Sequence, residues 1–282
     1  MFEKFTRRLK RATRKALHAP LSFEEQIYHA VVRRNDTCFD VGAHSGGVAL
    51  LLARLAGADG RVLAFEPVWP MYATLCERLR RAGRRSAPVV TLPYGLASEE
   101  RVATIQVPEG NFGMGSLAPA SEWSKAQPGA AIASYECRFV TLDGFLRSAN
   151  TAPPDFMKID VEGAELFVLR GAASLFAAGH RPLMLIEIFA PWERAFGYGP
   201  WEVLSLLEQL GYRFLFACPG GLVEHAPNAA RPFPPEYAQG YNVLAHYPPL
   251  HASRIAAVAA LRAGGRARVL PMPPPPVANT LA

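Results

Sequence analysis

The chain has 282 residues, half of them hydrophobic, enough for a substantial core and too apolar for a disordered chain. Its formal net charge of +6 comes from residues 1–20, where seven Lys or Arg face one Glu, and the remainder carries 23 basic and 23 acidic residues. A neutral body does not fit the charged cleft of a nucleic-acid enzyme, so no nucleic-acid partner is expected. Cys38, Cys76, Cys137 and Cys218 form no C-x-x-C pair, so zinc-ligand spacing is absent and reduced core thiols are expected. No apolar stretch approaches the roughly 20 residues that span a bilayer, and the N-terminus lacks the apolar core of a secretory signal. A cytoplasmic protein is expected.

Residues 1–20 place Phe2, Phe5, Leu9, Ala12 and Ala16 at helical spacing, with the basic residues mostly elsewhere on the wheel. Two readings stand for this arm. One is peripheral contact with anionic membrane, at about 1 kcal/mol per basic residue near the surface; the other is a solvated arm. From residue 37 strands and helices alternate. "TCFDVG" predicts a strand and "GVALLLARLAG" a helix closed by Gly57; "RVLAFEP" and "PMYATLCERLRRAG" repeat the pattern, closed by Gly83. "PVVTLPYGLA", "RVATIQVPE" and "SYECRFVTLDGFL" supply three further strands, the last running into a short helix. "PDFMKID" and "PLMLIEIF" are near-continuous apolar strands of the kind buried on both faces, with one helix, "GAELFVLRGAASLFAAG", between them. "PWEVLSLLEQLG" is a helix, and "YRFLFA" and "YNVLAHY" are late strands. This alternation predicts an α/β fold, a mostly parallel doubly wound sheet. The expected organisation is a basic arm over 1–20, one domain over 21–247 and an Ala/Pro-rich tail over 248–282, with room for one short helix before its proline-rich end.

"FDVGAHSGG" joins the first strand to its helix. Asp40 ends the strand, Gly42 lets the backbone turn close to a ligand, and Gly46 and Gly47 open a helix whose amides favour electron-rich groups. The spacing is D-x-G-x-x-x-G, not the G-x-G-x-x-G that cradles a dinucleotide pyrophosphate. Glu66 ends the next strand, where doubly wound folds place an acid for ribose hydroxyls. These residues predict a nucleoside site. Without a diphosphate cradle, S-adenosyl-L-methionine fits it better than NAD, because its adenosine carries a sulfonium and an amino acid rather than phosphates.

"FDVGAHSGG", "AFEP", "VTLDGF" and "MKIDVEGAELFVLRGA" followed by "PLMLIEIF", in order over about residues 36 to 217, resemble the FkbM family of S-adenosylmethionine-dependent methyltransferases. The resemblance implies a Rossmann-like class I methyltransferase fold with a mostly parallel seven-stranded sheet and helices on both faces. It implies O-methylation of a hydroxyl on a sugar, glycolipid or secondary metabolite, hence a small-molecule or carbohydrate acceptor. Cofactor contacts are expected from Asp40, Gly42, His44, Gly46, Glu66 and Leu96. His44 stands where the family often has Asn, and both can hydrogen-bond the methionine part of the cofactor. "YGLASEE", which contains Leu96, stands where something nearer N-V-A-L-S-D is expected.

In this fold the fourth strand ends beside the reacting methyl. Asp160 at that tip, Glu162 just beyond it and Glu187 at the end of the next strand are the expected catalytic residues. A hydroxyl is a weak nucleophile at neutral pH, and a base contributes typically about 10²–10⁴-fold. The three carboxylates can also hold a divalent cation through oxygen; the expectation is that no metal is used. Lys158, two residues before Asp160 on the same strand face, is expected to pair with it. Glu165 is read as a first-turn acid that favours the helix dipole. In "NFGMGSL", Asn111 and Ser116 can hydrogen-bond an acceptor or belong to a plain connection, and the aromatics of "APWERAFGYGP" can stack on a sugar or line the core. Two rivals remain: a nicotinamide oxidoreductase on the same sheet type, and a non-catalytic module that binds membrane or a partner.

Overall fold

In a computed structural model of the chain the described residues are 21–82, 86–109, 115–118, 129, 131–218, 221–225 and 241–259. The basic arm, Gly83, Asn111 and the tail beyond residue 259 lie outside them. The described chain opens with α1 (Phe23–Val31), then alternates β1 (Thr37–Val41), α2 (Gly47–Ala56), β2 (Arg61–Phe65), α3 (Trp69–Ala82) and β3 (Val89–Leu92). Three strands follow: β4 (Gly95–Leu96), β5 (Arg101–Pro108) and β6 (Ile132–Val140). Next come α4 (Leu142–Ala149), β7 (Phe156–Ile159), α5 (Glu165–Arg170), α6 (Ala173–Ala177), β8 (Leu183–Ile188), α7 (Ala190–Ala195) and α8 (Pro200–Gln209). The last elements are β9 (Arg213–Cys218), β10 (Gly221–His225), β11 (Tyr241–His246) and α9 (Pro248–Ala259).

The main sheet runs β10-β9-β11-β8-β7-β1-β2-β3. From β8 to β3 every pairing is parallel, whereas β11 is antiparallel to both β8 and β9. The expected mostly parallel sheet is present, with one strand more than the seven the resemblance implies. The extra strand is β10, where "GLVEH" folds back on β9 (Leu222 opposite Ala217) and forms the sheet edge. Alternate residues of the buried strands feed two apolar layers. Phe39, Phe65, Met157 and Ile186 enter one with α5 and α8. Cys38, Val62, Phe156 and Leu185 enter the other, covered by Ile27, Tyr28 and Val31 of α1 and by Leu52 and Ala53 of α2.

Three local expectations need correction. "PVVTLPYGLA" is not one strand: the chain leaves the main sheet after Leu92, at Pro93, which has no N–H for a ladder. Gly95–Leu96 then joins a separate three-stranded sheet, β4-β6-β5, with Arg101–Pro108 and Ile132–Val140. "GAELFVLRGAASLFAAG" is not one helix either. It breaks at Gly171, where a Cβ would stand 2.1 Å from the Ala97 carbonyl oxygen. Asp143 accepts hydrogen bonds from the Ser174 and Leu175 amides at 2.7 and 3.0 Å and starts α6 afresh. Finally, α9 opens the segment expected as a tail, yet it packs on the body. Val258 joins the α1 layer, and Arg254 grips Asp36 with both guanidinium arms while donating to the Val31 carbonyl.

Asp36 and Arg254 are both largely buried, so Arg254→Ala strands a carboxylate under α9. We expect a loss of about 3 kcal/mol in unfolding free energy, the lower end for breaking a buried pair, read by denaturant titration. A loss below about 0.5 kcal/mol, as for an ordinary surface change, would mean that α9 is held without it.

Candidate functional site

Strand order reverses beside β1, since β2 and β3 lie on one side of it and β7 and β8 on the other. Open α/β sheets form their ligand crevice at such a point, beyond the carboxyl ends of the strands. Register sets the level: Val41 pairs with Phe65 and Ile159, and Ile159 with Ile186. The next residues, Gly42, Glu66, Asp160 and Glu187, therefore stand side by side. Gly42, Glu66 and Asp160 line a cavity of about 370 Å³, and Ile105 and Phe139 of the small sheet also line it.

Lys158 organises the floor. Its ammonium lies 2.7 Å from Asp160 Oδ2, donates to the Gly42 carbonyl at 3.2 Å and lies 3.9 Å from Asp40 Oδ1. The expected Lys158–Asp160 pair is thus present. Burial opposes the charge on Lys158, but Asp160 and Asp40 outweigh it and hold the ammonium protonated well above its ordinary range.

The expected cofactor residues divide. Glu66 lines the cavity and accepts the His44 amide at 2.8 Å on one oxygen and the Val68 amide at 2.9 Å on the other. Each oxygen keeps a lone pair. Burial pushes Glu66 up to about 7, with the two amides pulling it down. His44 also lines the cavity, in a left-handed conformation (φ 48°) that is uncommon for a side chain larger than Gly. Its buried Nε2 has no hydrogen-bond partner among the described residues, and burial and then Lys158 lower its pKa. Leu96 lines the cavity from β4. Gly42 does too, but the reason for glycine there differs from a ligand's approach: at φ 82° a Cβ would meet the Asp160 carbonyl oxygen at 1.9 Å.

Two residues are not brought to the cavity. Asp40 is fully buried one level below the strand tips, level with Lys158; among the described residues neither carboxylate oxygen meets a well-formed hydrogen-bond donor, though the Ala49 amide lies near enough to pull its pKa down. Burial pushes it up to about 6 against the pull of Lys158. Gly46 caps α2 at φ 81°, where a Cβ would strike Leu75 at 2.5 Å, while its neighbours Ser45 and Gly47 line the cavity instead.

The three expected catalytic carboxylates do converge. Asp160, Glu162 and Glu187 each offer an oxygen within 4.8 Å of the others, close enough for a divalent cation to bridge them. Burial opposes the charge on Asp160, yet Lys158 and then the Glu187 carboxyl hold it below the usual range. Burial and the adjacent Asp160 charge raise Glu187 strongly. Glu162 is pushed up to about 8 by burial and then by Asp160 and Glu165. Its backbone is left-handed at φ 53°, a costly state that persists only where the surroundings impose it.

Those surroundings include several side chains whose residue pattern suggested other roles. Ser116 is buried and donates to the Glu162 carbonyl at 2.7 Å while accepting the Ala118 amide, so its hydroxyl is already engaged. Glu165 is only 1% exposed and does more than favour a dipole: Oε1 accepts the Val161 and Gly163 amides at 3.1 and 3.3 Å. Tyr198 donates to the Gly163 carbonyl at 2.6 Å, and buried Trp192 packs on Phe189. These two aromatics of "APWERAFGYGP" therefore brace the β7 loop from within. Glu24 of α1 lines the cavity as well and carries no motif that marks it. A cavity lined by Glu24, Glu66, Asp160 and Glu162 against Lys158 carries four carboxylates to one ammonium, which suits a cationic ligand and disfavours a pyrophosphate. The orphaned His44 nitrogen and the spare lone pairs of Glu66 fit an amino-acid end and a ribose of S-adenosylmethionine.

Residues 40–214 match the family described as the methyltransferase FkbM domain. The chain belongs to the FkbM methyltransferase family. A relative, hexuronic acid methyltransferase AglP of Haloferax volcanii, is 27% identical over 175 residues, and the match spans 62% of this FkbM chain and 62% of that protein. A crystal structure of methyltransferase FkbM from Methylobacillus flagellatus KT overlays with a TM-score of 0.44 at 18% identity, covering 79% of this chain and 50% of that one. An S-adenosylmethionine-dependent O-methyltransferase from Thermotoga maritima overlays with a TM-score of 0.41 at 14% identity, covering 80% and 66%. The fold of this family member rests on the sheet order and register above.

Proposed function

We propose that this FkbM-family chain is an S-adenosyl-L-methionine-dependent O-methyltransferase acting on a hydroxyl of a sugar-like, small-molecule or carbohydrate acceptor. The observation that carries the reading is the acid-rich cavity at the strand switch, with Glu66 beside it and three carboxylates converging at its floor. The Haloferax relative is a hexuronic acid methyltransferase, which supports the sugar-like acceptor. The oxidoreductase alternative would set a dinucleotide diphosphate against four carboxylates.

When bound, S-adenosylmethionine supplies a methyl group activated by a sulfonium. Glu66 holds the ribose hydroxyls through its free lone pairs, and His44 and the α2 amides meet the amino-acid end. Asp160, kept ionised by Lys158, accepts a hydrogen bond from the acceptor hydroxyl and orients it. Glu187 holds the proton shared with Asp160. Glu162, the carboxylate with the higher affinity for a proton at the cavity wall, would accept the hydroxyl proton. No metal is required in this reading.

Glu66→Ala should weaken S-adenosylmethionine binding by roughly 1.5–3 kcal/mol, the scale of hydrogen bonds to a charged group, measured calorimetrically. NADH binding by the wild type with no heat from S-adenosylmethionine would overturn the reading.

The base assignment has a pH signature. Glu162 acts in its ionised form, so kcat/KM for S-adenosylmethionine, which reports the free enzyme, should rise with pH through about 8 and then level. Glu162→Gln should remove that rise and lower turnover by about 10²–10⁴-fold, with S-adenosylmethionine affinity nearly unchanged. Full activity in EDTA is expected; activity that returns only with Mg²⁺ or Mn²⁺ would make the acid triad a metal site.

We further propose that residues 1–20 bring the protein to anionic membrane surfaces; among the described residues no helix is long and apolar enough to cross one. Full-length protein should sediment with phosphatidylserine vesicles at low salt, and a chain lacking residues 1–20 should not. Equal indifference of both would leave the arm a solvated segment.

A further inference from the structure

Glu24 reaches the cavity from α1, outside residues 40–214 that match the family. Its position follows from packing. Ser22 and Glu25 close a capping box that starts α1, and Ile27, Tyr28 and Val31 bury the helix against the same sheet face that carries Phe156, Asp40 and Lys158. The Tyr28 ring meets the Phe156 ring edge-on at 6.0 Å. At the other end of α1, the Val31 carbonyl is held by Arg254. The helix therefore descends the sheet face, and Glu24, one turn before Tyr28, stands toward the strand tips.

Tyr28, only 1% exposed, donates its hydroxyl to Glu24 Oε1. One carboxylate oxygen is thus fixed, and Oε2 accepts no hydrogen bond among the described residues. Glu24 shares the cavity lining with His44, with Ser45, Gly47 and Val48 at the start of α2, and with Lys158, whose ammonium its charge helps to hold. The first amides of a helix have no intrahelical acceptor, and the His44 Nε2 is unpartnered. Glu66, with Val68, Leu96 and Phe139, also lines the cavity and pairs one acid with apolar walls, as a nucleoside needs. The lining therefore also combines an anchored Glu24 carboxylate with the N–H donors at the start of α2, the complement of a zwitterionic α-amino acid.

We propose that Glu24 binds the α-ammonium of the cofactor's amino-acid end, with the α2 amides receiving its carboxylate; this rests on the cofactor reading above. The competing role, a plain structural acceptor for Tyr28, is separated by the choice of variant and ligands. Glu24→Gln keeps a carbonyl oxygen for the Tyr28 hydroxyl and removes only the charge. Titration calorimetry would compare S-adenosylhomocysteine with 5′-methylthioadenosine, which has the nucleoside but no amino acid. Glu24→Gln should lose roughly 10- to 100-fold in affinity for S-adenosylhomocysteine, the scale of a hydrogen bond to a charged group, and keep wild-type affinity for methylthioadenosine. Unchanged S-adenosylhomocysteine binding, or an equal loss for both ligands, would overturn the assignment. A wild-type protein that binds neither ligand would overturn the cofactor reading itself, and this inference with it.

Discussion

The Lys158 ammonium, 2.7 Å from Asp160 and 3.9 Å from Asp40, with a hydrogen bond to the Gly42 carbonyl, ties the ends of β1 and β7 through one buried charge. A buried ammonium is tolerated only when paired and hydrogen-bonded, and a buried Asp without hydrogen bonds only when a cation stands near. Each is therefore the condition for the other. Removing Lys158 would leave Asp40 and Asp160 facing each other unscreened, and the cheapest response would be to protonate one of them. The same ammonium biases the carboxyls of the floor: it lowers Asp160 against the cost of burial, and the Asp160 charge raises Glu187.

Around this charge the backbone is pressed into uncommon shapes. The β1 loop and the β7 loop approach until a Cβ at Gly42 would overlap the Asp160 carbonyl. His44 and Glu162 both have positive φ, and both point function-bearing groups at the cavity. The strain is offset by hydrogen bonds around these residues: Glu66, itself in the cavity wall, accepts the His44 amide, Ser116 and Glu165 hold the turn around Glu162 from outside the cavity, and Tyr198 donates to the Gly163 carbonyl. Ser116 comes from the region joined to β5 by the Gln106–Ser116 bridge, so the small sheet that roofs the cavity also helps set the shape of the loop at its floor. Roof and floor are one hydrogen-bonded unit.

Much of this was legible in the residue pattern. Glu66 and Asp160 were found because an apolar strand that ends in an acid has nowhere to put it except the crevice. Asp40 has the same local appearance but belongs one step earlier in its strand, level with Lys158 rather than with Asp160. Only the register separates a cavity acid from a buried counter-ion, and register is a property of two strands. Gly171 reads as a helix residue until Ala97 is packed against it. Glu165 reads as a surface acid until Tyr198 and the β7 turn close over it. Glu24 carries no local signal, because its place depends on how α1 descends the sheet. What periodicity missed was in each case a contact between elements.

The proton balance of the site gives the proposed chemistry an order. With the cavity empty of positive charge other than Lys158, burial and two neighbouring carboxylates keep Glu162 at about 8, so at neutral pH it is mostly the neutral acid. A cationic ligand in the same cavity stabilises the ionised form of any carboxyl beside it. In the proposed reaction a cationic ligand would therefore favour the base form of Glu162, and its loss the acid form. Asp160 needs no such trigger, because Lys158 supplies its counter-charge. Two acids two residues apart thus differ by environment: one has a buried cation beside it, and the other answers to the charge of the cavity.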